Sequence, residues 1–140
     1  MIFMIEWFEE RRHFAVILAV LITIEIFWFS SLPGIMSGFG EGVNIKLSPI
    51  YHFTIFFLLN FFLIISWNGN QKSKYAVYAI VFSLIYSIMD EVHQLFIPFR
   101  TSSTGDIFID SAGIFFSTLV YIHFKNKTKE KRRFSGSENH

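Results

Sequence analysis

The chain has no cysteine. That removes disulfides, thiolate metal sites and a cysteine nucleophile, and it leaves the redox compartment unreadable. Charge is also scarce. Only 16% of the 140 residues are Asp, Glu, Lys or Arg, while 52% are hydrophobic. Soluble domains carry about a quarter charged residues, so the composition suits one small membrane domain instead. There is no internal repeat and no familiar metal signature such as H-E-x-x-H. No cleavable signal peptide is evident, because the first apolar segment is longer than a usual h-region and lacks a small-residue cleavage site. The net charge of +1 says nothing by itself; no nucleic-acid partner and no cofactor are expected. The three prolines, Pro33, Pro49 and Pro98, all fall at segment boundaries.

What is present is apolar and aromatic, with 19 phenylalanines. Four segments stand out. Phe14–Leu32 carries a single charge, Glu25; Ile50–Trp67 is interrupted only by His52 and Asn60; Tyr75–Met89 has no charge; Ile107–Phe124 has Asp110 near its start and His123 near its end. A helix needs about 20 residues to cross a hydrocarbon core of about 30 Å. The first, second and fourth segments reach that length with their flanks. The third covers about 22 Å before Asp90 and spans only if its helix continues through Glu91, His93 and Gln94. Four such segments leave too little polar surface to cover a soluble globule of this size.

The expected fold is all-α: a four-helix transmembrane bundle with helices at about 14–32, 49–67, 75–97 and 106–124. A short interfacial helix occupies residues 1–13, where Ile2, Phe3, Ile5, Trp7 and Phe8 alternate with Glu6, Glu9, Glu10, Arg11 and Arg12. A basic, disordered tail follows at 125–140. Punctuation agrees. Leu32-Pro33-Gly34 stops the first helix, Ser48-Pro49 opens the second, Asn68-Gly69-Asn70 ends it, and Pro98 ends the third.

Basic residues set an orientation. Arg11, Arg12, Lys72, Lys74 and the six of the tail, Lys125 to Arg133, lie on one side of four crossings, and only Lys46 and Arg100 lie on the other. The positive-inside rule then places both termini in the cytoplasm of a multi-pass cell-membrane protein. The tail also offers a surface to anionic membrane lipids.

This topology brings polar groups to one depth on the outer side: Glu25 late in the first helix, Lys46 and His52 at the start of the second, Asp90, Glu91, His93, Gln94 and Arg100 at the end of the third, Asp106 and Asp110 at the start of the fourth. Tyr86, Asp90 and Gln94 share a helical stripe with His93, while Glu91 points elsewhere on an ideal helix. Asp106, Asp110, Gly113, Ser117 and Tyr121 form a second stripe, whose small Gly113 and Ser117 let another helix approach closely. An Asp at the centre of a membrane helix costs about 2.5–3.5 kcal/mol on insertion scales. Off-centre carboxylates cost less but still need partners, and Lys46, His52 and Arg100 are available. The plainer readings are an N-cap role for Asp106, a snorkelling Arg100, a solvated His93, and a cluster that only clasps two helices together.

The run Asp90-Glu91-x-His93-Gln94-x-Phe96-x-Pro98-x-Arg100, followed by Asp106 and Gly113, resembles the VanZ-like family of small membrane proteins. Phe29-Ser30-Ser31-Leu32-Pro33-Gly34 and His52-Phe53 support the likeness, which covers most of residues 14–124. Asp110 stands where the family usually has Asn, and Glu25 lies outside the motif. The resemblance implies four membrane helices and an association with low-level resistance to glycopeptides such as teicoplanin. It supplies no mechanism.

Three functions compete. The first is an outer-face polar pocket, formed by the ten residues from Glu25 to Asp110 named above, that binds or modulates a cell-envelope component. A lipid-linked or lipidated glycan would suit Arg100 and Lys46 as phosphate or carboxylate partners. The second is a membrane-embedded enzyme that uses a carboxylate and histidine site, with or without a divalent metal, on a lipid-linked substrate. The third is a small transporter using Glu25 and Asp110, for which four helices are few unless the chain oligomerises.

Overall fold

The computed structural model describes residues 2–33, 47–67, 74–100 and 102–137. Every element in them is a helix: α1 (Ile2–Glu10), α2 (Arg12–Ser31), α3 (Leu47–Trp67), α4 (Lys74–Gln94) and α5 (Thr104–Ser137). Helices satisfy their own backbone groups, the condition for crossing lipid. Four of them, α2 to α5, are long and apolar enough to span. The chain is a multi-pass membrane protein.

Helix α2 shows how sequence sets packing. Ala15, Ala19, Ile22, Ile26 and Ser30 recur at helical spacing and are all buried, while Ile24, Phe27 and Trp28 between them are exposed. The same division holds on α4, where Val81, Ile85 and Ile88 face outward, and on α5, where Phe115, Phe116 and Leu119 do. These exterior apolar side chains form the lipid-facing surface of the bundle. Helix α3 is the most enclosed and packs on all four others; its Phe56, Leu59, Ile64 and Ile65 are fully buried.

Helices α3 and α5 approach backbone to backbone at Gly113. A Cβ there would run into the backbone carbonyl of Phe53 and lie 3.2 Å from the amide nitrogen of Phe57. Only glycine lets the two backbones meet at this point. One turn further along α5, Asn60 of α3 donates to Ile114 O at 2.9 Å, Ser117 Oγ at 2.7 Å and Thr118 Oγ1 at 2.9 Å. The hydroxyls of Ser117 and Thr118 bond back to Ile114 O, which leaves their lone pairs for Asn60. This polar hub lies in the middle of the bundle.

Helix α1 folds back along the end of the bundle opposite Asp110. Ile5 is buried, the Phe8 ring meets Phe62 at 5.3 Å, and the Glu9 carboxylate accepts from Tyr121 Oη and Lys125 Nζ. Arg11 breaks the helix and sits over the Trp7 ring at 4.9 Å.

Boundaries differ from expectation in two places. Helix α4 ends at Gln94 rather than near residue 97; the backbone turns over the next residues, with Phe96 N–H bonding His93 O and Ile97 N–H bonding Gln94 O. Helix α5 does not stop near residue 124 but continues to Ser137, so the segment read as a disordered tail is helical there. Glu9 anchors Lys125 and the polar run beyond keeps α5's helical backbone. Lys46, Lys72, the glycines at 34–42 and the Asn68–Asn70 turn lie outside the described residues.

Candidate functional site

The polar groups gather where α2 ends, α3 and α5 begin and α4 ends. Proline shapes the first of these. Leu32, just before Pro33, is extended (φ −75°, ψ 134°), as a residue preceding proline must be, and α2 stops there. Its last carbonyls are taken by Arg100: Nε donates to Leu32 O at 3.2 Å, and Nη2 donates to Phe29 O. A guanidinium at a helix C-terminus satisfies open carbonyls and complements the helix dipole. Arg100 is therefore engaged with backbone and pairs with no carboxylate among the described residues.

At the centre, His52 Nδ1 lies 3.0 Å from Asp110 Oδ1, with both groups buried. Asp110 is wholly inaccessible, and its other oxygen accepts Ser87 Oγ at 2.6 Å. An ionised Asp110 can only accept, which favours the neutral His52 tautomer that carries its proton on Nδ1. In that tautomer His52 Nε2 keeps its lone pair, and it makes no hydrogen bond among the described residues. Gly113, three residues after Asp110, is what allows α5 close enough to α3 for this contact.

Helix α4 supplies two carboxylates pointing to different partners. Asp90 Oδ2 accepts Gln94 Nε2 at 2.8 Å, the spacing of one helical turn. Glu91 is only 3% exposed. Its Oε2 accepts Ser102 Oγ at 3.0 Å and the Ser103 amide at 2.8 Å, which ties the α4–α5 connection down. One oxygen each of Asp90 and Glu91 and one nitrogen of His52 lie within 4.8 Å of one another.

Beside them a cleft is lined by Ser30, Tyr51, His52, Asp90, Gln94 and Arg100, with Ile26, Phe29, Ile55 and Phe56 as its apolar wall. The free space at its centre is about 20 Å³, room for one water-sized species. Two buried side-chain oxygens here, Tyr51 Oη and Glu91 Oε1, have no hydrogen-bond partner among the described residues, while Ser30 Oγ faces the Asp90 carboxylate.

The ten residues singled out from sequence are thus divided. His52, Asp90, Gln94 and Asp110 come together, Glu91 joins them from the α5 side, and Arg100 lines the cleft. His93 does not join. It turns to α2, where Nε2 lies 3.0 Å from Ser31 Oγ and the ring stacks on Phe27 at 5.0 Å. The expectation that His93 shares the Asp90 stripe while Glu91 points away is reversed, because α4 is wedged between α2 and the start of α5. Glu25 is exposed on α2 and makes no hydrogen bond or ion pair with the described residues. Asp106 is not the N-cap: Ser103 Oγ accepts the Gly105 amide at 3.1 Å, and Asp106 stands in the first turn, where a negative charge favours the helix N-terminus. Lys46 lies outside the described residues.

Sequence reasoning missed Ser87, Ser30 and Tyr51. A signal for the first existed: Ser83, Ser87, Asp90 and Gln94 fall at helical spacing on α4, all buried, and Ser83 reaches Asn60 Oδ1 at 3.4 Å.

A sequence model of one family, VanZ/LLP1, matches residues 6–125. The chain belongs to the VanZ/LLP1 family. The match takes in the whole polar cluster, the Asn60 hub and the Glu9–Lys125 contact. No curated protein and no solved structure matches the chain.

Proposed function

We propose that this VanZ/LLP1 chain presents its polar cleft at the outer face of the cell membrane and binds the polar end group of a cell-envelope component there, contributing to tolerance of teicoplanin-like glycopeptides. The observation that carries the reading is a buried cleft oxygen, on Tyr51, left without a partner among the described residues. A cluster whose task is only to clasp helices would satisfy its own groups, since each buried oxygen left alone costs about 1–3 kcal/mol. Tyr51 instead holds a buried oxygen without a partner among the described residues, in the wall of a cleft that also carries Ser30, His52, Asp90 and Arg100. The central space takes a terminal polar group and not a sugar ring. The body of the ligand then lies outside, along the apolar exterior, which suits a lipid-linked or lipidated molecule. The basic residues near Arg12 and Lys125, at the opposite end, favour the cytoplasm for that end and for both termini.

The test is genetic. Asp90→Asn changes a cleft group without adding bulk, and it should abolish the tolerance phenotype at unchanged membrane levels of the protein. Arg100→Ala should do the same but also frees the α2 carbonyls, so Asp90→Asn is the cleaner probe. Wild-type tolerance in an Asp90→Asn strain would remove the site assignment.

One observation favours the enzyme reading as a second possibility. A histidine with Nδ1 held by a buried carboxylate and Nε2 free is placed as a general base. Turnover of a lipid-linked substrate by purified protein, lost in His52→Ala, would move the chain into that class.

A further inference from the structure

We infer that His52, Asp90 and Glu91 form a binding site for one divalent transition-metal ion of the zinc type, with Asp110 as the outer carboxylate that orients the histidine. The first argument is donor chemistry. One imidazole nitrogen and two carboxylate oxygens from different residues lie within 4.8 Å of one another. Ligands at about 2.1 Å around a tetrahedral zinc stand about 3.4 Å apart, so closing on an ion takes shifts of about 1 Å, within the reach of side-chain rotation. An imidazole with carboxylates suits zinc, manganese or ferrous iron, and the chain has no sulfur donor of the cysteine type to select a softer ion.

The second argument is the arrangement behind the histidine. Metal-bound histidines almost always donate their other ring N–H to a carboxylate or carbonyl, which fixes the tautomer and aims the free nitrogen. His52 has this arrangement: Nδ1 is on Asp110 Oδ1 at 3.0 Å, and Asp110 is itself held by Ser87 at 2.6 Å. The free nitrogen, Nε2, is the one left to ligate.

The third is the unpartnered oxygen. Glu91 uses Oε2 for Ser102 and Ser103, while Oε1 is buried without a partner among the described residues. A residue 3% exposed holding a bare carboxylate oxygen in this position is completed by a cation. Charge points the same way. Asp90, Glu91 and Asp110 are three buried carboxylates, and the nearest guanidinium among the described residues, Arg100, is committed to α2 carbonyls. A +2 ion balances Asp90 and Glu91, while Asp110 keeps its bond to His52. Three protein ligands leave one position of a tetrahedral ion open, as in catalytic rather than structural zinc sites, and the cleft beside His52 and Asp90 has room for one water-sized occupant there.

The site stands on this geometry and does not rest on the envelope-ligand reading. Tag-free protein in detergent, stripped with a chelator, is titrated with Zn²⁺ by calorimetry and with Co²⁺ by visible absorption, and its thermal unfolding is followed with and without Zn²⁺. The expected result is one ion per chain, a raised unfolding temperature and tetrahedral Co²⁺ bands. Glu91→Gln keeps an acceptor for Ser102 and Ser103, so it should fold; it should bind at least 10-fold more weakly, and His52→Ala should lose stoichiometric binding. Asp110→Asn should keep the one-to-one ratio with about 10–100-fold lower affinity, the usual effect of losing such an orienting group. A folded wild-type chain that takes up neither ion overturns the inference. So does equal affinity in Glu91→Gln, which would mean adventitious metal elsewhere; this variant decides if His52→Ala fails to fold. Normal tolerance in an Asp90→Asn strain would end the envelope reading and leave the titration untouched.

Discussion

Replacing Gly113 with alanine should damage the fold and the polar cluster together. The added Cβ would sit against the Phe53 carbonyl, 3.2 Å from its carbon and from the Phe57 nitrogen, where ordinary contacts are about 3.5–4.0 Å. The obstacle is backbone on a buried helix, so it cannot rotate away. Helices α3 and α5 must part by roughly 1 Å at this point, a typical overpacking cost of about 1–3 kcal/mol. The separation propagates to neighbours with no slack. The His52–Asp110 contact, now 3.0 Å, would open to roughly 4 Å, beyond hydrogen-bonding range. Breaking that buried pair adds about 1–2 kcal/mol. The sum, about 2–5 kcal/mol, corresponds to a fall in melting temperature of about 6–15 °C at roughly 3 °C per kcal/mol. Thermal unfolding in detergent would measure it. Gly105→Ala is the control: its Cβ would meet only the flexible Ser103 Oγ at 3.1 Å, and the change should stay within about 0.5 kcal/mol. If Gly113→Ala unfolds at the wild-type temperature, α3 and α5 are not in the contact described, and the position assigned to Asp110 falls with it.

Two further outcomes follow from the same coordinates. Asn60→Leu removes the donor shared by Ile114, Ser117 and Thr118 and should lower stability by about 1–2 kcal/mol, at the upper end for interhelical hydrogen bonds in lipid; an unchanged melting temperature would show the hub to be energetically idle. Orientation can be read by cysteine labelling, because the chain has no native cysteine: Phe96→Cys should react with an impermeant maleimide in intact cells and Lys129→Cys only after permeabilisation, and the opposite pattern would invert the topology.

The four spanning helices were legible because length and hydropathy alone report them. In lipid the backbone has no other solution than to pair within its own segment. Their exact ends were less legible. Pro98 marks a stop for α4, yet the helix gives way earlier, at Gln94, where it turns over His93 and Gln94 carbonyls; α5 outlasts its apolar stretch because a polar helix can continue in water once Glu9 has secured Lys125. That Asp90 and Asp110 turn inward was also readable, since neither could face lipid cheaply, and both are buried. Which residues meet within it was not. Helical spacing put His93 beside Asp90 and turned Glu91 away, but the wedge of α4 between α2 and α5 gives each of its flanks a different neighbour, and periodicity on one helix says nothing of its neighbours' positions. Arg100 misled for a related reason. A lone basic residue near carboxylates suggests an ion pair, whereas the stronger demand came from the open carbonyls that Pro33 leaves at the end of α2.

The stripe along α5 carries a consequence for how the bundle finds its alignment. Lipid tails are as apolar as the side chains they replace, so apolar contacts alone distinguish poorly between one vertical setting of a membrane helix and the next. Asp110 meets His52, the Ile114–Thr118 turn meets Asn60, and Tyr121 with Lys125 meets Glu9. Those three contacts are spread over about 22 Å of a single helix. Sliding α5 by one residue would turn it about 100° and undo all three at once. They act as the teeth of a key: each is modest alone, and together they admit one setting.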